Sequence, residues 1–431
     1  MEMKKYKLSE LMEVTRGMSL CGEYYATEGD LMRLTLGNFD YRNNCFKDDK
    51  SKDNLFFSGD VKDEFILNKG DIITPLTEQA IGLLGSTAKV PCSGKYIQSQ
   101  DVGLIKCNEK LHPDFAFYLI PSKLVRNQLS AAAQQTKIRH TSPDKIKSCT
   151  VWIPEYLNQE KIGRLLSSLD DKIALNRRMN AKLEQMAKRL YDHWFVQFDF
   201  PNADGKPYKA SGGKIVWNET LKREIPEGWE VKKLGELFTT NRGVSYSTKT
   251  ITGDTGIPMI NLASFSPDGS YKIDGIKLYT GEYTQEKVLK PFDLVMCNTQ
   301  QTAIDFSKDI IGKALLVPDI FEGDITSSHH VNTLKVHNEK LKFYLYRLFN
   351  TDYFHAYISH FASGTNIMGL DFAGVENYTA VIPGDEILSK FADFTLNIEK
   401  KKSEIIRENT KLISLRDRLL PLLMNGQVNV I

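Results

Sequence analysis

The sequence predicts an α+β fold made twice over: two β-rich mixed domains, each followed by a long coiled-coil helix, in an internal tandem duplication. Three observations predict it. A block of residues near the N-terminus returns in the second half of the chain. The first part of each half is dense in short apolar runs broken by Gly, Pro, Asn and Asp, which is strand-and-turn chemistry. The second part changes to apolar steps of three and four, the seam of a coiled-coil helix. At 431 residues the chain has room for two or three domains, each able to bury its own core.

The repeat comes first, because it decides how the rest is read. Lys7-Leu8-Ser9-Glu10-Leu11 and then Arg16-Gly17-Met18-Ser19 return as Lys233-Leu234-Gly235-Glu236-Leu237 and then Arg242-Gly243-Val244-Ser245. Leu36 and Phe39 match Leu262 and Phe265; Gly85 and Pro91 match Gly312 and Pro318. Val102 and Lys106 match Val331 and Lys335; Thr136, Ile138 and Ile153-Pro154 match Thr365, Ile367 and Ile382-Pro383. The offset drifts only from 226 to 229, which argues against chance.

The first domain should hold strands at Ile66-Leu67, 71–73 and 102–105, and the second at 293–296 and 314–317. Residues 115–119 and 343–346 read as helix segments. The first long helix then carries Ile162, Leu165, Leu169, Ile173, Met179, Leu183, Met186 and Leu190 on its seam. The second carries Phe391, Phe394, Ile398, Ile405, Leu412, Leu415, Leu419 and Leu422. Asn158-Gln159-Glu160-Lys161 offers an N-cap to the first. Asn176 and Asn180 lie on or near one seam, Lys401 and Asn409 near the other; such polar residues fix register and partner choice. Residues 198–213 and 225–229, rich in Pro, Gly and Asn, read as the linker between halves.

Composition narrows the function. Apolar residues make up 41% and charged residues 26%, ordinary for a globular protein. No run approaches the ~18 apolar residues of a membrane span, and Met1 to Lys7 lack the apolar core of a signal peptide, so the cytoplasm is the expected compartment. Fifty-six basic against 54 acidic residues give a net charge of +2. That neither announces nucleic-acid binding nor excludes it, since a local basic face suffices. Six cysteines without a Cys-x-x-Cys pair suggest reduced structural thiols, not zinc or disulfides.

Catalytic motifs are missing. There is no Asn/Asp-Pro-Pro-Tyr/Phe, the adenine-methylation tetrapeptide. Gly94-Lys95, Gly213-Lys214 and Gly312-Lys313 are followed by Tyr96, Ile215 and Ala314, so no P-loop forms. There is no His-Glu-x-x-His. His329-His330 has no acid or Cys at metal spacing and reads as ordinary surface or groove. Pro143-Asp144 and Pro318-Asp319 could open a Pro-Asp…Glu-x-Lys nuclease motif, but Glu230-Val231-Lys232 precedes the second and lies far from the first, which disfavours nuclease chemistry. No catalytic residue, metal or cofactor is therefore expected.

What remains is polar, bidentate-capable loops at matched places in both halves. Asn and Gln pair with adenine edges, Arg and Lys with guanine edges. The DNA-binding candidates are Arg16, Ser19, Gln79, Gln134, Gln135, Lys137, Arg139, His140, Arg242, Ser245, Gln300, Gln301 and Asn366. Positions identical in both halves should serve scaffold or phosphate: Arg16, Gly17 and Ser19 with Arg242, Gly243 and Ser245, joined by Gln79 with Gln301 and Thr136 with Thr365. Aligned positions that differ should read bases: Lys137, Arg139 and His140 against Asn366, Met368 and Gly369. For any single residue, a turn or solvated loop is the plainer alternative.

The junction resembles the specificity subunit of type I restriction–modification enzymes. The residues are Trp194-Phe195-Val196-Gln197-Phe198-Asp199-Phe200-Pro201-Asn202, Gly205-Lys206-Pro207-Tyr208-Lys209, Ser211-Gly212-Gly213 and Ile225-Pro226-Glu227-Gly228-Trp229. Ile153-Pro154 with Asn158-Gln159-Glu160-Lys161-Ile162 is similar to that family's helix start; Ile382-Pro383-Gly384-Asp385-Glu386 departs from it and lacks the Gln. The resemblance implies target-recognition domains at 1–153 and 229–382, spacer helices at 154–200 and 383–431 packed antiparallel, and a linker at 201–228. It implies a non-catalytic chain in which each domain reads half of a split site in double-stranded DNA. Its implied partners are two methyltransferase subunits and restriction/translocase subunits, which carry S-adenosylmethionine, ATP and Mg. Without the resemblance, a two-module ligand-binding scaffold on a coiled coil stays open.

Overall fold

The computed structural model describes residues 1–49, 52–78, 82–132, 139–301 and 309–430. The chain divides into two compact units, Met1–Ala174 with Lys411–Ile431, and Leu175–Thr410.

In the first unit, Lys4–Lys7 pairs antiparallel with Thr150–Ile153 and ties the ends of the domain together. Inside is an antiparallel sheet in the order Ala88–Lys89, Ile72–Pro75, Val102–Cys107, Met12–Arg16. Its middle strands are buried on both faces and are accordingly apolar runs. The edge strand alternates, with Met12 and Val14 inward and Glu13 and Thr15 in solvent. A second sheet joins Tyr96–Ile97, Met32–Arg33, Phe56–Phe57 and Tyr25–Ala26. The helix Pro113–Leu119 opens on Pro, whose missing N–H has no intrahelical partner there anyway. It buries Phe115, Ala116 and Leu119 against Leu8, Leu11, Ile105 and Ile162. The strand expected at Ile66-Leu67 shrinks to one isolated bridge, Ile66 to Ile97, just after a tight turn at Asp63–Phe65.

The second unit repeats this plan. Its sheet runs Ala314–Leu316, Leu294–Cys297, Val331–Val336, Phe238–Arg242, strand for strand the order of the first. Glu230–Lys233 pairs with Thr379–Ile382. Leu341–Phe349 supplies the expected helix, with Tyr344, Leu345 and Phe349 in the core beside Leu294, Leu334 and Phe391. The junction is more ordered than linker chemistry suggested. Ile215–Asn218 and Arg223–Pro226 form a hairpin, and the Phe200 ring stacks on Tyr208 and on Trp229, centroids 4.5 and 4.9 Å away.

The long helices are Tyr156–Tyr191 and Asp385–Met424, 36 and 40 residues, or about 54 and 60 Å at 1.5 Å per residue. The first begins ahead of Asn158, so the expected cap there does not hold. Gln159 is buried instead, accepting from His112 N (2.9 Å) and donating to Lys110 O and Pro154 O (3.0 and 2.9 Å). Of the seam residues read from the sequence, Ile162, Ile173, Phe391, Ile398 and Ile405 are buried. Leu165, Leu169, Leu183, Leu190, Leu412, Leu419 and Leu422 are half-buried. Met179, Met186, Phe394 and Leu415 stand in solvent, a correction to that reading, while Leu166, Asn176, Ala187 and Thr395 are buried.

The physical reason is that polar pairs occupy much of the stripe. In the first unit Asp170 accepts from Tyr118 Oη at 2.6 Å and Arg416 Nη1 at 2.9 Å. In the second, Asn176 Nδ2 donates to Glu408 (2.7 Å) and Asn409 (3.0 Å). There too Arg347 and Lys402 close on Glu184 and Glu399. Lys402, not Lys401, is the half-buried partner; Lys401 pairs with Glu404 in solvent. Among the described residues no helix is long and apolar enough to cross a membrane.

Candidate nucleic-acid interface

The repeated Arg-Gly pair sits at the same place in each unit. Arg16 ends the strand Met12–Arg16 and Arg242 ends Phe238–Arg242; both are exposed, as are Ser19 and Ser245. The next backbone N–H, of Met18 or Val244, donates to Gln98 O at 3.1 Å or Ser327 O at 2.7 Å. A Cβ on Gly17 would collide with the carbonyl oxygens of Gln98 and Ser99, and one on Gly243 with those of Ser327 and Ser328. The glycines recur because two backbones touch there. Arg242 also donates from Nε to His329 O at 2.7 Å.

That approach brings a second loop beside the arginine in each unit, and a third strand completes the group. In the first unit, Leu76 N donates to Asp101 O (2.8 Å) and Thr141 N to Leu76 O (2.9 Å). In the second, Asn298 N donates to His330 O (2.9 Å) and Leu370 N to Asn298 O (2.8 Å). The backbone therefore aligns Thr77 with Thr299, Asp101 with His330, and His140 with Gly369. The side chains follow. Thr77 Oγ1 lies 3.0 Å from Asp101 Oδ1 and 3.3 Å from His140 Nδ1. Thr299 Oγ1 lies 2.7 Å from His330 Nδ1. Asp101 and His140 are exposed. A cavity of about 210 Å³ opens beside Asp101, lined by Met18, Arg33, Thr35, Lys52 and Ser99 among others.

In the second unit the His329 and His330 rings lie 3.8 Å apart, with Tyr246 against both at 5.5 and 6.2 Å. Lys277 Nζ sits 5.3 Å over the Tyr246 ring. Burial, then nearby positive charge, lowers the pKa of both imidazoles and so favours their neutral forms. Asn298 Nδ2 donates to Asn332 Oδ1 at 2.8 Å.

Not every candidate lies on this face. Gln300 is buried and its Oε1 accepts from Ile310 N at 2.8 Å. Its counterpart Glu78 accepts from Gly82 N at 2.9 Å. Both anchor loops, so the base contact expected of Gln300 gives way to a structural one. Asn366 is exposed between the strands Ala362–Ser363 and Ile367–Leu370. Gln79, Gln134, Gln135 and Lys137 lie outside the described residues, as do the side chains of Arg139 and Gln301; the Arg139 backbone pairs with Glu78.

Sequence reasoning missed Asp101 and set His330 aside. The signal was present: Val102 and Val331 align, and the residues just before them, Gln100-Asp101 and His329-His330, differ. That is the pattern already used to single out Arg139 and His140.

The model of the type I restriction modification DNA specificity domain matches twice, over residues 2–185 and 226–409. A type I restriction enzyme MjaIX specificity subunit from Methanocaldococcus jannaschii is 24% identical, over 74% of this chain and 69% of its own. The HindI specificity subunit from Haemophilus influenzae is also 24% identical, over 77% of this chain and 81% of its own. The crystal structure of a type I restriction–modification S subunit from M. genitalium superposes with a TM-score of 0.60, covering 98% of this chain and 96% of that one at 15% identity.

Proposed function

The chain belongs to the type I restriction–modification DNA specificity family, and on that premise we propose that it reads a split site in double-stranded DNA, one half-site per unit. The observation that carries this reading is the repeated face. An exposed arginine, a forced backbone approach and a threonine hydroxyl recur at matched places, while the residues around the hydroxyl differ. A shared frame with divergent side chains suits two readers of different sequences. Exposed Arg16 and Arg242 contact phosphate and set orientation; the divergent residues supply sequence.

Residues 1–153 and 229–382 serve as the target-recognition domains, 154–200 and 383–431 as spacers, and 201–228 as the connection. The spacers act as an antiparallel coiled coil. Within the second unit, Asn176 contacts Asn409 and Glu184 contacts Lys402, so one helix ascends as the other descends. Within the first, Asp170 contacts Arg416. The chain does no chemistry of its own. Methyl transfer with S-adenosylmethionine belongs to two methyltransferase subunits held on the helices. ATP- and Mg-dependent translocation and cleavage belong to the restriction subunits.

The test is co-expression of the full chain with its methyltransferase subunits in a host free of other adenine methylation, followed by methylation-sensitive genome sequencing. A single bipartite motif with a fixed unspecified gap is the expected result. A chain that binds mixed duplexes no better than buffer, in a soluble complex that methylates nothing, would instead fit a ligand-binding scaffold.

A further inference from the structure

We propose that Asp101 and His330 are equivalent base-reading positions, each oriented by a threonine hydroxyl, and that Asp101, tied through Thr77 to His140, reads the exocyclic amino group of a cytosine or an adenine in the major groove. The inference rests on the DNA-reading function above and names the chemistry of one contact within it.

The argument is a count of protons. A carboxylate only accepts, and a threonine hydroxyl has one proton to give. Thr77 Oγ1, 3.0 Å from Asp101 Oδ1, therefore donates to it. Its remaining contact, His140 Nδ1 at 3.3 Å, must then be the donor. The chain His140 Nδ1–H to Thr77 Oγ1–H to Asp101 leaves the exposed Asp101 carboxylate, which offers acceptors only.

Acceptors alone are wrong for phosphate, whose oxygens also accept, so this group does not position the backbone. They are wrong for guanine O6 and N7 and for thymine O4. In the major groove they suit the amino hydrogens of cytosine N4 or adenine N6. Cationic Arg16 at the end of the adjoining strand, exposed and paired with Gly103 through its backbone, stands ready for the phosphate that the carboxylate would repel.

The second unit keeps the hydroxyl and changes the rest. His330 replaces the carboxylate, Gly369 replaces His140, and Arg242, Lys277 and Tyr246 crowd the site. The acceptor-only carboxylate is gone there, so the amino requirement belongs to the first half-site alone. Thr77 and Thr299 are positioning residues, holding the reader without touching the base.

The experiment uses the full chain co-expressed with its methyltransferase subunits, read by methylation sequencing of host genomic DNA. Wild type should give a bipartite motif; if none appears, the DNA-reading function fails and this inference with it. Given a motif, Asp101→Asn swaps one acceptor for a donor. It should relax one C or A position in one half-site, with discrimination down about ten- to a hundredfold, and leave the other half-site unchanged. His330→Asn should alter only the other half-site. Thr77→Val, which preserves shape and keeps the test open if Asp101→Asn misfolds, should relax the same position less. Equal loss at all sites with an unaltered motif, or relaxation confined to the other half-site, would overturn the proposal while leaving the function intact.

Discussion

A side chain that touches phosphate acts on every sequence alike, whereas one that touches a base edge acts at one position. Arg16 and Arg139 are the pair that separates them. Arg16 is exposed at the strand end beside the forced Gly17 contact. Arg16→Ala should weaken binding to all duplexes by similar factors and reduce the salt dependence by about one counterion, measured by titration at several salt concentrations. Arg139 extends the short strand that pairs with Thr77 and Glu78. Arg139→Ala should relax one base by about 1–3 kcal/mol; equal weakening of all duplexes would refute the assignment. At this scale the sequence revealed the frame better than the readers. Gly17 and Gly243 were legible because a backbone collision permits nothing else. Asp101 was not, because the hydroxyl that orients it lies 24 residues away in the chain and no periodicity links the two.

The long helices were legible as elements because apolar steps of three and four persist over many turns, but the face they bury was only half legible. Apolar residues do not by themselves choose a side when polar partners compete for it. Glu184 shows why. Burial pushes its carboxyl up, but Arg347 and Lys402 more than reverse that, holding it at about 2 against an ordinary 4.5. Arg347 is 5% exposed and also meets Glu399. Arg347→Ala strands these carboxylates with Lys402 alone, and should cost about 3–5 kcal/mol of second-unit stability, seen as a lowered thermal midpoint. The pH dependence has a definite sign. A carboxyl whose folded pKa is depressed contributes above its unfolded pKa, and that contribution is lost as pH falls toward the folded value. Wild type should therefore lose stability between about pH 4.5 and 2, and the advantage over Glu184→Gln should shrink across that window. A gap between the two proteins that stays constant with pH would place the stabilising charge elsewhere.

At the scale of the whole chain, the duplication was the most legible feature, since a near-constant offset survives even where single residues diverge. It predicts that residues 1–200, one recognition domain with one helix, form a homodimer through antiparallel helices. With methyltransferase subunits, that dimer should modify an inverted repeat of the first half-site; a folded fragment that stays monomeric at micromolar concentration in sedimentation would count against it. The helices also predict a ruler. A heptad adds seven residues, about 10.5 Å along a helix, or roughly three base pairs of duplex. Seven residues keep the phase of the stripe, whereas four would rotate one face past the other. Insertion must fall in both helices at matching levels. After Met186 and after Leu415 it would not, because Asn176 meets Asn409 and Glu184 meets Lys402, and both pairs would slip. Heptads placed after Ala174 and after Thr410, where the chain divides into its units, keep these pairs and the Asp170–Arg416 bridge. The lengthened protein should then recognise the same two half-sites across a gap longer by about three base pairs, with some slack from DNA bending. Methylation of a duplex library with fixed half-sites and varied gaps measures this. An unchanged preferred gap in a soluble complex would mean that the helices hold partners without measuring distance.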